Sequence, residues 1–426
     1  MHKAAVIVAL LVAAPRSAHA LDTEVQVYGT FIPFVDSVRT SGATAAGLSP
    51  ASGGATQVAA AAYTGTSLPT RFRLTSSTSN LGFRGSLKLS EQLKVTWQVE
   101  SAVSPDGDAP NTLAGRNTGL GLATAWGTVL AGSWDTPYKF PQMFVTPLRG
   151  VLPFDNSITG NPGFGVPATT TQTGRASAAN PKPDAAFNRR QGNSIQYWSP
   201  TWKGLSARVG VSLNEGKTVS SAAAPSLSPT LWSGSVSYDR GPLAVRYGYE
   251  QHDDYFGLAQ LGGSAAGTAT NRSATDRAHE LVAWYTFPTE TRLAAIYERL
   301  IYRTSDDTAN GLRRYQRDAF YVLAKQRIGD HGVWGSFGQA GSGTCALGGG
   351  VPCTTNGLGS QQWSIGYTYS LAKTFDFFAS YYRLDNGRSA SYGVFPSPGT
   401  VAPGASTSGF GLGLLYTFST TWTGSI

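Results

Sequence analysis

The stretch Gln362–Leu371, QWSIGYTYSL, alternates strictly between large apolar side chains and small or polar ones. Its odd-numbered positions are all apolar or aromatic: Trp363, Ile365, Tyr367, Tyr369 and Leu371. Because successive side chains of a β-strand point to opposite faces, this period of two predicts a strand with one apolar face. The same alternation recurs along most of the sequence, so we expect an all-β protein.

The end of the sequence repeats the pattern and narrows the class. One face of the last predicted strand is apolar throughout: Phe410, Leu412, Leu414, Tyr416 and Phe418. The other face is small or polar, with Leu415 as the one exception. A soluble β-sandwich also alternates, so the alternation alone does not decide. A small or polar second face in strand after strand favours a barrel with a hydrated lumen.

The composition also favours a membrane barrel over a soluble domain. The chain has 51 Gly, 10 Trp, 19 Tyr and 19 Phe, and only 14% of its residues are charged. A soluble domain has roughly 25% charged residues. Beyond residue 20 no apolar stretch is long enough for a transmembrane helix, whereas barrel strands dilute their hydrophobicity by alternation.

Residues 1–20 have the features of a secretory signal peptide. Lys3 gives the positive start, Ala4–Ala14 is an unbroken apolar run, and Ala18-His19-Ala20 is a small-x-small cleavage site. An uncleaved anchor is the alternative, but the run is shorter than the ~20 residues that a spanning helix needs. We therefore expect export from the cytoplasm and a mature chain that begins at Leu21.

The predicted connections alternate between short and long. Eight long ones are rich in Gly, Ser, Pro and Asn: residues 37–68, 101–114, 136–191, 214–230, 252–277, 302–314, 339–359 and 385–407. Outer-membrane barrels combine short periplasmic turns with long extracellular loops. The pattern predicts a transmembrane antiparallel β-barrel of 16 strands, and residues 21–426 form a single domain.

The charged residues are placed by the same alternation. The formal net charge is +8, but the basic residues are spread singly along the predicted strands, which argues against a nucleic-acid-binding face. A Lys or Arg on the lipid face costs ~2–4 kcal/mol at mid-membrane. We therefore predict lumen-facing positions, with an interfacial anchor at a strand end as the alternative for each arginine: Arg71, Arg73, Arg84, Lys94, Glu100, Arg208 and Arg246.

Two local features carry further predictions. Phe72 stands at an even-numbered position and Phe83 at an odd-numbered one, so one regular strand would place them on opposite faces. Both can lie on the same face only if a bulge or bend interrupts the strand between Thr75 and Asn80.

Cys345 and Cys353 lie in the Gly-rich segment GSGTCALGGGVPCTT, and in an oxidising compartment we expect them to form a disulfide. A metal pair is the rival, but no histidine lies near them, so we expect neither metal nor cofactor.

An enzyme is a second class to weigh, because some outer-membrane barrels are hydrolases. Nucleophilic catalysis needs a Ser held beside a base and an orienting group. Beyond residue 20 the histidines are His252, His279 and His331, and none has a recognisable nucleophile motif nearby. Solvated histidines are the simpler interpretation, so we expect no enzymatic activity.

Six segments, in order along the chain, resemble the general-diffusion porins of Gram-negative bacteria, of the trimeric proteobacterial type. They are Val25–Phe31, Asn80–Ser86, Leu93–Glu100, Gly115–Val129, Asn193–Leu205 and Leu415–Phe418. Two departures are visible. Eight residues follow Phe418, where family members end on an aromatic residue, and Gly132-Ser133 stands where a Gly-Arg pair is common.

The resemblance implies a third long loop, about 136–191, that folds into the barrel and narrows it. Asp135, Asp155 and Asp184 would then face lumenal arginines and create a transverse field. It also implies a homotrimer surrounded by outer-membrane lipid and lipopolysaccharide. We expect passive diffusion of small hydrophilic solutes and ions with mild anion preference, because the inward bases outnumber the inward acids. A channel selective for an anion or a sugar is the alternative, and a plugged structural barrel is less favoured.

Overall fold

The computed structural model describes residues 21–42, 48–49, 56–57, 68–107, 113–148, 156–163, 175–176, 186–213, 217, 226, 228–255, 273–305, 312–350, 353–394, 401 and 403–425. The predicted signal peptide, residues 1–20, lies outside the described residues. Within these ranges, no helix is long and apolar enough to cross a membrane.

Sixteen strands form the barrel in the described part of the chain, as predicted. Three of them are interrupted: β1 (Asp22–Phe31 and Phe34–Ser41), β2 (Arg71–Thr75 and Asn80–Ser90) and β13 (His331–Ala340 and Thr344–Leu347). The others are β3 (Leu93–Ala102), β4 (Thr118–Thr124), β5 (Gly127–Asp135), β6 (Arg190–Trp198), β7 (Leu205–Ser212), β8 (Thr230–Arg240), β9 (Leu243–Asp253), β10 (Ala274–Thr286), β11 (Thr291–Thr304), β12 (Leu312–Ile328), β14 (Ser360–Ala372), β15 (Phe375–Asn386) and β16 (Ser406–Ser425).

Five short elements lie in the described parts of the loops. They are the paired segments Leu48–Ser49 and Thr56–Gln57, the segment Arg175–Ala176 that pairs in parallel with Arg190–Gln191, the helix α1 (Lys139–Gln142) and the 3-10 turn Gly348–Gly350. Helix therefore contributes little to this fold.

The sheet closes between its first and last strands. β16 pairs antiparallel with β15 and also with β1, in a register that runs from Asp22 opposite Ser425 to Phe31 opposite Tyr416. β1 in turn pairs with β2. A closed sheet has no free edge, which is what a spanning β-structure requires in lipid.

The interruptions of β1 and β2 lie side by side. Pro33 has no N–H group to donate to the ladder, and β1 breaks there. β2 breaks between Thr75 and Asn80, where opposite parity predicted a bend. Ser79 joins the two, because its Oγ accepts a 2.8 Å hydrogen bond from the backbone N–H of Ile32.

The two faces of the barrel differ in kind. Outward-facing residues such as Val236, Ile365 and Leu412 are exposed and apolar, as a lipid contact requires. The lumenal face is polar on β2 and β3. On β11 to β16 it instead carries a buried apolar cluster, to which the sequence exception Leu415 belongs. The expectation of a small or polar lumenal face is therefore wrong for this half of the barrel.

Candidate functional site: the channel interior and its constriction loop

Loop 3, residues 136–189 between β5 and β6, enters the barrel directly after β5. The backbone N–H of Tyr138 donates to Ser233 Oγ on β8 at 2.8 Å, and its hydroxyl donates to Glu298 Oε2 on β11 at 2.8 Å. Burial raises the pKa of Tyr138 well above its ordinary value, and the nearby Glu298 carboxylate adds to this, so the hydroxyl stays protonated. The beginning of loop 3 is thus fixed to the inner wall.

Glu298 is the centre of a buried network that holds the middle of loop 3. Its Oε2 also accepts a 2.6 Å hydrogen bond from the backbone N–H of Gly160, and its Oε1 lies 2.9 Å from the guanidinium of Arg317 on β12. Arg317 donates to the backbone carbonyl oxygens of Ile158, at 3.0 Å, and Asn161. Both charged side chains are fully buried, so the ion pair is shielded from solvent.

Further contacts carry loop 3 across the lumen. The backbone N–H of Ser157 donates to Gln362 Oε1 on β14 at 2.8 Å, and that of Ser391, in the loop after β15, donates to the Gly163 carbonyl at 2.6 Å. Val145 and Ile158 of loop 3 belong to the apolar cluster on the inner face of β11 to β16. The described residues of loop 3 therefore cover that half of the wall, whereas Arg84 and Lys94 on the inner faces of β2 and β3 are exposed.

The acids of loop 3 do not all face the channel as free carboxylates. Asp135 is buried at the start of the loop, where its carboxylate lies 2.9 Å from Lys139 Nζ and 3.3 Å from Arg190 and accepts a 2.9 Å hydrogen bond from Asn117. The carboxylate thus joins loop 3 to β5 and β6. Asp155 and Asp184 lie outside the described residues.

The predicted bases of β2 differ in their partners. Arg73 forms a two-point contact with Asp36 of β1, at 2.9 Å and 2.5 Å, so its charge is matched. Arg71 lies on the same lumenal face, half-buried, while Phe72 between them is 80% exposed on the lipid side. The alternation that predicted this placement is therefore present in the structure.

Glu100 on β3 faces the lumen but is neutralised. Its carboxylate accepts a 2.9 Å hydrogen bond from the Tyr28 hydroxyl and pairs with Arg116, and the residue is buried. Two neighbouring bases have no such partner. Arg84 donates to the amide oxygen of Gln26 and lies over the Tyr28 ring, and among the described residues neither Arg84 nor Lys94 contacts a carboxylate.

Arg208 and Arg246 face the lumen but contact aromatic rings of loop 3. The Arg208 guanidinium carbon lies 3.4 Å from the ring centre of Phe140 and 4.4 Å from that of Trp198. Arg246 lies 3.8 Å from the ring centre of Phe144 and pairs with Asp239 at 2.9 Å. These two arginines therefore bind loop 3 to β7 and β9 through cation–π contacts.

The remaining groups are the two cysteines, which pack against a buried cluster that includes Tyr138 and Phe187 of loop 3, and the three histidines. The structure joins Cys345 and Cys353 in a disulfide, with the Cα atoms 5.8 Å apart. The expectation of a solvated histidine is wrong for His252, which is buried on β9 against Glu250 and the Phe187 ring. His279 and His331 contact the hydroxyls of Tyr247 and Tyr367. In the part of the chain that the structure describes, no group of three or more His, Cys, Asp or Glu residues could hold a metal ion.

Sequence reasoning missed most of the network that positions loop 3. No sequence pattern joined Tyr138 or Arg317 to Glu298. One signal was available: Glu298 and Arg317 are an acid and a base at diagonal positions of adjacent strands, since Arg317 lies opposite Leu300, and buried opposite charges pair. Trp134 and Trp198, whose rings meet on the lumenal face of β5 and β6, were also missed.

Comparison with known proteins agrees with this architecture. Residues 5–389 match the family model of the Gram-negative porins. No curated protein sequence matches the chain.

Solved structures show the same fold. The chain is similar to the anion-selective porin from Comamonas acidovorans, at 20% identity and a TM-score of 0.63 over 93% of this chain and 100% of that one. It is similar to the trimer form of OmpT from Vibrio cholerae (14% identity, TM-score 0.55, 93% and 99% covered) and to OmpF of Salmonella typhi in complex with daunomycin (15%, 0.53, 92% and 97%). The chain therefore belongs to the Gram-negative porin family and is a multi-pass β-barrel channel protein of the outer membrane.

Proposed function

We propose that this porin is a passive, anion-preferring diffusion channel for small hydrophilic solutes and ions. The observation that carries the proposal is an imbalance of charge on the inner faces of β1 to β3, where two bases without a carboxylate partner lie beside one exposed acid, Glu24. Asp36 and Glu100 are neutralised by arginines there, whereas Arg84 and Lys94 contact no carboxylate among the described residues. Fixed charges that line a pore set its ion preference, so an excess of unpaired bases favours anions.

The proposed pore-lining set keeps the predicted residues but gives them separate roles. Arg84 and Lys94 supply net positive charge, while Arg71 and the Arg73–Asp36 pair border the passage. Glu100 and Asp135 hold neighbouring elements in place. Arg208 and Arg246 fix loop 3 against the wall, which sets the width of the opening.

The assembly that we propose is a homotrimer in outer-membrane lipid and lipopolysaccharide. A trimer form is named for the Vibrio cholerae OmpT structure, which has the same fold. Purified protein should therefore migrate as a trimer before heating and as a monomer after it, and conductance should appear in groups of three equal steps. Monomers that conduct singly would contradict this assembly.

Planar bilayers test the central proposal. With purified protein in a KCl gradient, the reversal potential should have the sign of chloride permeation and should shrink as ionic strength rises, because salt screens the fixed charges. A reversal potential of the opposite sign would overturn anion preference, and folded protein without conductance would overturn the channel. We also propose that the protein is not an enzyme, so turnover of ester, peptide or phospholipid substrates by the purified protein would contradict us.

A further inference from the structure

A recess of about 360 Å³ opens on the lumenal face between β2 and β6. Six lumen-facing side chains define it: Arg84, Lys94, Thr96, Gln98, Trp134 and Trp198. Glycines on β4, at positions 119 and 121, form part of its floor, so the recess extends close to the strand backbone there. The recess combines basic groups that have no carboxylate partner with large aromatic surfaces. Anion preference in a general diffusion channel requires the bases but not the aromatic rings.

The aromatic part is fixed in place before any ligand enters. The Trp134 and Trp198 rings meet edge to face, with their centres 5.5 Å apart and an interplanar angle of 66°. Trp198 Nε1 donates to Gln196 Oε1 at 3.0 Å, and the guanidinium of Arg208 lies 4.4 Å from the ring centre of Trp198. Both rings are only half-buried, so part of each ring faces the recess.

The charged part lies on the opposite side of the recess. Arg84 and Lys94 are exposed to the lumen on the adjacent strands β2 and β3. Glu24 also borders the recess, which leaves one net positive charge among the three. A site of this kind attracts an anion that presents a planar ring to one wall and a carboxylate to the other.

We propose that this recess binds small aromatic carboxylates, with the ring against Trp134 and Trp198 and the carboxylate at Arg84 and Lys94. The proposal rests on the anion-preferring channel above and names one class of solute for it. A sugar fits less well, because the charged groups that dominate the recess are donors and only Glu24 is an acidic acceptor. The recess volume is ample for a single substituted benzene ring.

Benzoate and cyclohexanecarboxylate separate ring recognition from charge recognition. They carry the same charge at neutral pH and are similar in size, but only benzoate is aromatic. Added to single channels in planar bilayers, benzoate should reduce the chloride current with a lower half-blocking concentration than cyclohexanecarboxylate. An aromatic stacking contact is worth about a three- to tenfold difference in affinity.

Three variants locate the effect in the recess. Trp198→Leu should raise the half-blocking concentration of benzoate about fivefold and leave that of cyclohexanecarboxylate nearly constant. Lys94→Gln should weaken the block by both acids. Trp232→Leu is the matched control, because Trp232 lies on the lipid face of β8 and is 52% exposed, and it should leave both values unchanged.

The outcomes distinguish this proposal from the one it rests on. Equal block by the two acids, or no change in Trp198→Leu, overturns the aromatic site while chloride preference stands. A reversal potential without anion preference, together with benzoate-selective block, overturns the general proposal and keeps the site. If Trp198→Leu fails to fold into a barrel whose mobility on a gel changes on heating, Trp134→Leu provides the same test from the other ring.

Discussion

The hydroxyl of Tyr138 on loop 3 and the carboxylate of Glu298 on β11 meet in a 2.8 Å hydrogen bond that is wholly buried inside the barrel. These residues are 160 positions apart in the chain, and their contact brings the start of loop 3 to the middle of the opposite wall. The same carboxylate holds Gly160, so both ends of the inner segment are fixed to one side chain.

Tyr138→Phe should therefore loosen loop 3 without changing the barrel. Glu298 Oε2 keeps its hydrogen bond from Gly160, so the net loss is about 1 kcal/mol. We expect noisier open-channel current and a small decrease in the Tm at which heating unfolds the barrel. Tyr297→Phe is the control, because the Tyr297 hydroxyl lies 3.0 Å from Asp318 at an exposed position. Equal noise in both variants would show that the Tyr138 hydroxyl does not restrain the loop.

Glu298→Gln should have a larger effect than Tyr138→Phe. It leaves the guanidinium of Arg317 buried without its 2.9 Å counter-charge, and breaking a buried ion pair costs about 3–5 kcal/mol. Loop 3 should detach from the wall, which raises single-channel conductance and lowers Tm. Glu290→Gln, in the exposed turn after β10, should change neither quantity. Wild-type conductance and Tm in Glu298→Gln would mean that the pair does not hold the loop.

The outer half of this architecture could be predicted from the sequence, and the inner half could not. Alternation in QWSIGYTYSL and its repeats gave the strands, and opposite parity at Phe72 and Phe83 gave the bend in β2. Alternation reports which face a side chain takes, because the period of a strand is two. Alternation does not tell which residues of the loops or of other strands pack against the lumenal face. Leu415 was an exception to the pattern because it belongs to a buried apolar cluster that also contains Val145 and Ile158 of loop 3.

The candidate site shows the same limit. Arg73, Arg84, Arg208 and Arg246 all lie on the lumenal side of their strands, yet they differ in how far a neighbouring group offsets their charge. Arg73 is cancelled by Asp36, and Arg208 lies against Phe140 and Trp198. The negative charge of Asp135 is likewise offset, since Lys139 and Arg190 pair with it. Pairing depends on loop paths and register across the barrel, which local sequence patterns do not contain.

Neutralising unpaired bases should alter selectivity more than neutralising bases outside the lumen. Arg84→Gln and Lys94→Gln should each shift the reversal potential in a KCl gradient toward cations, and the double variant should shift it further. Lys203→Gln is the control, because Lys203 lies over the Trp202 ring in the short turn before β7. Should Lys203→Gln produce the same shift, selectivity would be set by overall charge and not by the recess wall.

Removing the disulfide should weaken the extracellular end of β13 without closing the channel. A bond that closes a loop of eight residues restricts the unfolded chain by about 2–3 kcal/mol. Cys345→Ser/Cys353→Ser should lower Tm, and reductant should lower the Tm of the wild type but not of this variant. Conductance should be preserved in both. A wild-type Tm that does not respond to reductant after verified thiol release would contradict the prediction.

The last prediction concerns a glycine on which the lumenal packing of β14 depends. A Cβ at Gly366 would lie 2.3 Å from the ring of Trp334, which is buried on the neighbouring strand β13. Gly366→Ala should therefore force the indole out of place and lower the unfolding free energy by about 1–3 kcal/mol. Gly335→Ala is a matched control on β13, because its nearest atom, the Ser364 carbonyl oxygen, is 3.9 Å away. Gly335→Ala should be neutral or slightly stabilising, since alanine restricts the unfolded chain.

A double variant identifies the cause, because adding Trp334→Leu to Gly366→Ala should remove the clash. If the double variant loses only the stability that Trp334→Leu loses alone, the contact with the ring is the cause. A full additive loss in the double variant would instead place the cost of Gly366→Ala in the strand backbone.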